Sequence, residues 1–277
     1  MTPLIFSLLA FGISLGAGVL GALLGIGGGI IVVPALTLLL KVDIRYAIGA
    51  SIVSVIATSS GAAAAYVRER LTNLRVGMFL ELGTTAGALT GAYLAGVIGG
   101  RWLYLIFGSV LAYSSVMMFR KRDGAVSTAP RSPVADRLQL HGSFFDEAQH
   151  KRIDYRVARP GLGLGLMYVA GISSGLLGIG SGGLKVPAMD LAMGLPIKVS
   201  TATSNFMIGV TAAACAGVYF ARGDIDPFIA APVAAGVLLG ATGGSRLLPR
   251  LKSSLVRSMF VIVLFWIALE MILRGLR

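Results

Sequence analysis

Ten apolar segments, arranged in two sets of five, account for most of the 277 residues of this chain. Most of them are close to the length of about 20 residues that a helix needs to cross a bilayer. Hydrophobic residues make up 56% of the sequence and charged residues only 13%, whereas about 25% charged residues is usual in soluble domains. The sequence therefore predicts an all-α polytopic membrane protein that has the lipid bilayer as its surroundings. The apolar segments cover about 4–24, 30–40, 46–66, 76–98, 102–119, 161–177, 184–195, 199–220, 228–248 and 256–274.

The net charge of +12 could reflect either binding to nucleic acid or orientation in a membrane. The basic residues lie in short loops between apolar segments, with few aromatic residues among them, and this favours positive-inside orientation. We therefore expect no nucleic-acid partner. No signal-peptidase-like site follows the first apolar segment, so we expect that segment to be retained. The single cysteine, Cys215, excludes an internal disulfide.

The two sets of apolar segments are copies of each other. When the sequence is shifted by 153 positions without a gap, residues 24–27 align with residues 177–180, and the register continues as far as Phe107 and Phe260. An ungapped match of this length indicates an internal repeat of five apolar segments. The expected organisation is a first transmembrane repeat (1–120), a polar cytoplasmic linker (121–159) and a second transmembrane repeat (160–277).

Each repeat contains a glycine cluster inside its apolar part, at residues 25–29 and 178–183. The segment after each cluster is too short to cross a bilayer. Short, glycine-interrupted segments at matching positions of two repeats are typical of broken helices at the binding site of a transporter. Close helix packing alone is the alternative explanation for the clusters. For two GxxxG pairs we predict a packing role: Gly87 with Gly91, and Gly240 with Gly244.

The sequence resembles the TauE/SafE family of membrane transporters, also called the sulfite exporter or TSUP family. The resemblance lies in the duplicated motifs LLGIGGGIIVVP and LLGIGSGGLKVP, in the segment ATSN at 202–205 and in the central polar loop. It covers nearly the whole chain apart from the linker. It implies a plasma-membrane carrier of small sulfur-containing or organic anions, such as sulfite, sulfoacetate or related sulfonates. It does not define the substrate, because members of the family differ.

We expect an anion-binding site where the two glycine clusters meet. Broken helices expose backbone N–H groups and positive dipole ends, and Lys185 supplies an ammonium at a depth where charge is costly. Snorkelling of Lys185 to an interface, or pairing with Asp190, is the alternative. The hydroxyl and amide groups that follow Pro196 could donate to the anion or could cap a helix. The predicted substrate-binding residues are Gly27, Gly28, Gly29, Ser51, Gly180, Ser181, Gly182, Gly183, Lys185, Ser204 and Asn205.

Three other polar residues of the apolar segments have simpler interpretations. Glu81 lies near the end of its segment, which favours an interfacial position over a role in proton coupling. Tyr66 and Tyr219 have the character of interfacial aromatic residues. We therefore predict all three side chains at the membrane–water boundary.

Two arrangements of the segments in the membrane are compatible with the sequence. With ten crossings the two repeats are inverted, both termini lie outside, and the linker and the basic loops near Arg70 and Arg250 lie inside. With each glycine cluster inside a single broken helix there are eight crossings, the repeats are parallel, and both termini face the cytoplasm. The second arrangement places the basic loop near Arg250 outside. The charge distribution therefore favours inverted repeats.

The expected function is secondary transport of small anions across the plasma (inner) membrane, driven by the anion gradient and the membrane potential or coupled to protons. We expect no enzymatic activity, no cofactor and no bound metal. Residues 178–183 fit the pattern G-x-G-x-x-G but lack the βαβ setting of a dinucleotide site. Both histidines lie in the linker, which argues against an intramembrane serine protease. A passive anion channel and a non-transporting accessory subunit are the alternatives, and the sequence leaves open whether the protein forms a homodimer.

Overall fold

The computed structural model describes residues 2–95, 100–120, 132–178 and 180–276. Each of the ten predicted apolar segments contains a helix, and the segments 30–40 and 184–195 end in residues that are not helical, 39–40 and 193–195. The first half of the chain contains α1 (Pro3–Leu24), α2 (Gly29–Leu38), α3 (Ile44–Arg68), α4 (Leu74–Leu94) and α5 (Gly100–Arg120). The middle contains α6 (Pro133–Arg137), β1 (Gly142–Asp146) and β2 (Lys151–Tyr155). The second half contains α7 (Pro160–Leu177), α8 (Gly182–Pro187), a π-helical turn (Ala188–Ala192), α9 (Ile197–Ala221), α10 (Pro227–Ser245), a 3₁₀ turn (Leu248–Arg250) and α11 (Ser253–Leu276).

The surface of the molecule carries many large apolar side chains. Large side chains such as Leu82, Phe119, Phe220 and Ile262 are exposed, whereas soluble monomers rarely expose large contiguous apolar patches. Five helices in the described ranges are long and apolar enough to span a membrane: Pro3–Leu24, Ile44–Arg68, Ile197–Ala221, Pro227–Arg250 and Ser254–Leu276. These features are those of a multi-pass membrane protein.

Two close pairs of helices join the first half of the chain to the second. α1 packs on α10, and α4 packs on α7. Both pairs are parallel, as the order of their contacts shows: Gly236, Gly240 and Gly244 lie beside Phe11, Leu15 and Val19, while Gly83, Gly87 and Gly91 lie beside Leu164, Tyr168 and Ile172. A methyl group on any glycine of the two GxxxG pairs would overlap backbone atoms of the partner helix. Their predicted packing role is therefore confirmed.

The remaining long helices also pair across the two halves. α3 packs against α9 in the centre, and α5 packs against α11. Ser115 Oγ donates to the Val261 carbonyl oxygen at 3.1 Å, and Arg101 Nε donates to the Gly275 carbonyl oxygen at 2.9 Å, so α5 and α11 run antiparallel. The two halves therefore interlock around a shared core.

The region predicted as a polar linker contains folded structure in its described part, 132–159, while residues 121–131 lie outside the described residues. β1 and β2 pair antiparallel, so the prediction of an all-α chain was wrong at this hairpin. Lys198 Nζ of α9 lies 2.8 Å from Asp146 Oδ1, and both side chains are buried. Asn73 Nδ2 donates to the Leu140 carbonyl oxygen and to Tyr155 Oη, each at 2.9 Å. The hairpin is thereby fixed to the N-terminal ends of α4 and α9.

Candidate functional site

The first glycine cluster ends α1 and reverses the direction of the chain. Gly25, Gly27 and Gly28 have φ angles of 70°, 74° and 56°, in the left-handed region that favours glycine. Gly28 lies against Gly21 of α1, so α2 returns alongside α1 instead of continuing it. The predicted helix break is confirmed. Within it, the Gly27 N–H donates to the Gly21 carbonyl oxygen at 3.4 Å and the Gly29 N–H donates to the Gly27 carbonyl oxygen, so two of the N–H groups predicted to face an anion are used locally.

The second glycine cluster breaks the helix in the same way. α7 ends before Gly178, which has a φ of 63°, and Gly180 and Ser181 follow with φ angles of 81° and 47°. A serine in the left-handed region is strained, and such strain concentrates at functional sites. α8 then begins at Gly182 and runs into the π-helical turn.

The two breaks touch each other in the middle of the protein. Gly182 packs directly on the Gly25 carbonyl oxygen and the Cα atom of Ile26. Gly27 and Gly180 both face the side chains of Val55 and Ile208. The structure therefore brings the two predicted clusters together, with apolar side chains of α3 and α9 on one side. The other two glycines face different parts of the protein. Gly28 faces α1 and α3, and Gly183 faces α2, α5 and α11.

Serine hydroxyls from the opposite half of the chain bind the carbonyl groups of each break. Ser51 Oγ donates to the Gly178 carbonyl oxygen at 2.9 Å, and Ser204 Oγ donates to the Gly25 carbonyl oxygen at 2.7 Å. Ser204 follows Ser51 by 153 residues and Gly178 follows Gly25 by 153 residues, so the two bonds are equivalent in the two halves. Both predicted site residues therefore lie at the breaks, where they bind backbone.

Two tyrosines and an asparagine satisfy other carbonyl groups near the ends of α1 and α7. The Ala22 carbonyl oxygen accepts from Tyr66 Oη at 3.0 Å and from Asn205 Nδ2 at 2.8 Å, and the Gly175 carbonyl oxygen accepts from Tyr219 Oη at 2.6 Å. Both tyrosines are buried, so neither side chain faces lipid headgroups in the way that residues of an aromatic belt do. Helix ends carry carbonyl groups without intrahelical partners, and in a membrane other protein groups must bind them.

Lys185 is fully buried on α8 and forms an ion pair. Its Nζ donates to Thr211 Oγ1 at 2.7 Å and lies 3.7 Å from Glu81 Oε2. Thr211 Oγ1 in turn donates to Glu81 Oε1 at 2.6 Å. The lysine does not snorkel, and its partner is Glu81 of α4 rather than Asp190, which pairs with Arg257 at 3.0 Å.

Glu81 is buried inside the protein, so its carboxylate is not held in the water at the membrane surface. Thr84 Oγ1 donates to its Oε2 and Thr85 Oγ1 donates to its Oε1, each at 2.9 Å. We refer to Glu81, Thr84, Thr85, Lys185 and Thr211 as the charge cluster. The sequence did contain a sign that Glu81 is a functional residue, since it is a carboxylate inside the apolar segment 76–98. Ionisable residues within membrane segments are functional candidates by default. The three threonines gave no comparable signal.

Four buried polar atoms close to the breaks have no hydrogen-bond partner among the described residues: Ser181 Oγ, Ser200 Oγ, Thr201 Oγ1 and Asn205 Oδ1. Ser181 belongs to the second break, and the backbone of Thr201 packs on Gly25 of the first. The capping interpretation of the hydroxyls after Pro196 was wrong, because no side chain caps the start of α9. A buried polar group without a partner costs about 1–3 kcal/mol, and a bound ligand or water would offset this cost.

The chemistry of this region is that of one ammonium and several hydroxyl donors. Lys185 offers three N–H bonds and each serine or threonine one O–H bond. Hydrogen bonds between such donors and an ionised oxygen are roughly twice as strong as those between neutral groups. Within the part of the chain that the structure describes, no three His, Cys, Asp or Glu residues are grouped so that they could hold a metal ion. The donor set suits an oxyanion.

Comparison with known proteins gives one family and several relatives. The family model described as sulfite exporter TauE/SafE matches residues 10–271. The probable membrane transporter protein YunE of Bacillus subtilis is 27% identical over 269 residues, which cover 94% of this chain and 95% of that protein. A probable membrane transporter protein of Xylella fastidiosa (strain Temecula1) is 28% identical over 257 residues, which cover 91% and 90% of the two chains. No solved structure matches the chain.

The contact between the breaks predicts different effects of alanine at two neighbouring glycines. A methyl group at Gly182 would overlap backbone atoms at Gly25, whereas a methyl group at Gly183 would meet the end of the Leu111 side chain, at 2.9 Å. Overpacking typically costs about 1–3 kcal/mol, so Gly182→Ala should lower the midpoint of thermal unfolding in detergent by several degrees. Gly183→Ala should change it less, because a side-chain end can move. Equal midpoints for the two variants would contradict the direct contact.

Proposed function

This chain belongs to the TauE/SafE sulfite exporter family of membrane transporters, and we propose on that basis that it is a secondary carrier of small anions. The candidate substrates are sulfite, sulfoacetate and other sulfonates, and small carboxylates. The observation that carries this proposal is the fully buried ammonium of Lys185, on the short helix that follows a break. A charge at this depth is costly, and an anionic substrate would use it.

The proposed binding site lies at the contact between the two breaks. Lys185 would balance the charge of the anion, and the unpartnered hydroxyl of Ser181, one turn before Lys185, would donate to an oxygen of the anion. Backbone N–H groups of the two breaks are proposed to add further donors, as helix N-termini do for anions elsewhere. Ser51, Ser204 and Asn205 would hold the breaks in shape through the carbonyl groups that they bind.

We further propose that the two repeats are inverted in the plasma (inner) membrane. The reversal of the chain at Gly28 makes α2 a return segment, so that each repeat consists of five segments that alternate in direction, and an odd number of alternating segments inverts the second repeat. The equivalent bonds of Ser51 and Ser204 and the matching parallel pairs α1–α10 and α4–α7 support this symmetry. Inverted repeats allow one half to rock against the other around a fixed site. The linker would then be cytoplasmic and both termini external.

This topology predicts which cysteines a membrane-impermeant maleimide can reach in intact cells. A cysteine added after Arg277 should be labelled, whereas a cysteine replacing the exposed Gln149 of the hairpin should be labelled only after permeabilisation. The native Cys215 is buried and provides a low background. The reverse pattern, with labelling at position 149 in intact cells and protection of the C-terminus, would contradict inversion.

The transport function is tested with purified protein in liposomes that contain no ATP. A thermal-shift screen against sulfite, sulfate, sulfonates and small carboxylates first identifies an anion that binds. Lys185→Gln should then weaken binding of that anion by about ten- to a hundredfold, since a hydrogen bond to a charged group contributes about 1.5–3 kcal/mol. Lys198→Gln is the matched control, because Lys198 is also buried and paired with a carboxylate but contacts the hairpin.

The outcomes of this experiment separate the candidate functions. A carrier exchanges labelled anion faster when unlabelled anion is present on the opposite side, whereas a passive channel does not. The absence of transport of any anion in the panel would favour an accessory subunit and contradict the proposal. Wild-type affinity in folded Lys185→Gln would remove Lys185 from the site, and loss of affinity in Lys198→Gln to the same extent would show a general effect of instability.

A further inference from the structure

We propose that Glu81 is the proton-binding site that couples anion movement to the proton gradient. In this mechanism one proton from the aqueous phase binds the Glu81 carboxylate, the ammonium of Lys185 becomes available, and the anion takes the place of the carboxylate as its partner. One proton and one anion cross together, and both are released on the other side. The proposal rests on the anion transport proposed above and adds its driving force.

Charge balance in the buried cluster is the reason for this coupling. The side chains of Lys185 and Glu81 are 0% and 9% exposed, and their charges of opposite sign leave the cluster neutral. If a monovalent anion paired with Lys185 while Glu81 stayed ionised, the same volume would hold a net negative charge. Removing one partner from a buried ion pair is strongly unfavourable, because it leaves an uncompensated charge inside the protein. A proton on Glu81 restores neutrality, so binding of the anion and binding of the proton favour each other.

The geometry allows the lysine to leave while the carboxyl group stays in place. Thr84 and Thr85, on the same helix as Glu81, donate to both of its oxygens. The ammonium is bound mainly through Thr211, since its distance to the carboxylate itself is 3.7 Å. The lysine lies on α8, directly after the break, whereas the carboxylate lies on the long helix α4. A movement at the break can therefore separate the two charges.

Few other titratable groups face Glu81. The helices that pack closely on α4 are α7 and α9. α7 contains no charged residue, and its titratable residue, Tyr168, is exposed on the outside of the molecule. On α9, Lys198 pairs with Asp146 and Tyr219 binds the Gly175 carbonyl oxygen. Cys215 of α9 is buried and lies within electrostatic range of both Glu81 and Lys185, so it provides a control position.

The cluster occurs once in the chain although the sequence is duplicated. The positions equivalent to Glu81 and Lys185 under the 153-residue offset are Ala234 and Val32, which carry no charge, while Thr211 corresponds to Thr58. Thr58 donates to the Ser54 carbonyl oxygen. We therefore expect one proton per anion and not two.

The test uses the wild-type protein in liposomes with radiolabelled methanesulfonate, a monovalent sulfonate whose charge does not change between pH 6 and 8, and with a pH-sensitive dye inside. An alkaline interior should drive accumulation of methanesulfonate above its external concentration, with about one proton entering per anion. Uptake without movement of protons would overturn the coupling and leave the carrier function intact. If the wild type neither binds nor moves methanesulfonate, the proposed sulfonate transport fails, and the coupling fails with it.

Glu81→Gln identifies the residue, because glutamine resembles the protonated acid in shape and charge. The variant should exchange methanesulfonate across the membrane, but the pH gradient should drive at least tenfold less accumulation than in the wild type, and the affinity of the variant for methanesulfonate should no longer change between pH 6 and 8. Cys215→Ser should retain the accumulation seen in the wild type. Accumulation in Glu81→Gln equal to that of the wild type would overturn the assignment, and the proton count in the wild type remains a test if the variant does not fold.

Discussion

The carbonyl groups freed where α1 and α7 end constrain the rest of this structure. Lipid offers no hydrogen bonds, so each carbonyl needs a donor from the protein. Ser204 supplies the donor for Gly25, and Ser51 supplies it for Gly178. Because each donor comes from the opposite half of the chain, neither break is complete without the other half. The interlocked helix pairs and the direct contact of Gly182 with the first break follow from the same arrangement.

The buried charges place a second constraint on the structure, and these charges are not distributed equally between the two halves. The backbone bonds at the breaks are nearly symmetric, whereas the ion pair of Lys185 and Glu81 has no counterpart at Val32 and Ala234. The bonds that hold the two breaks are therefore shared by both halves, whereas the charge cluster is not. The hairpin contributes the buried pair of Lys198 and Asp146 at the N-terminal end of α9, away from this cluster.

The sequence predicted the helices and their breaks more completely than it predicted the contacts between side chains. The spacing of apolar residues predicted ten helical segments, and the glycines at 25–29 and 178–183 predicted two broken helices, because positive φ angles and close backbone contacts require that residue. The partner of Lys185 could not be predicted, since Glu81 is distant in sequence and a carboxylate near a segment end is usually interfacial. The buried positions of Tyr66 and Tyr219 were missed for the same reason: they depend on which helix end lies beside each hydroxyl.

The central claim is that an anion binds at the contact of the two breaks, beside Lys185. Selenite, a heavier analogue of sulfite, provides the most direct test, because selenium gives an anomalous scattering signal in crystals grown with it. We expect a selenium peak whose oxygens lie within hydrogen-bonding distance of Lys185 Nζ, about 2.7–3.2 Å, with the ammonium turned away from Glu81. Bound selenite at another place, with Lys185 still held by Thr211 and Glu81, would contradict the claim.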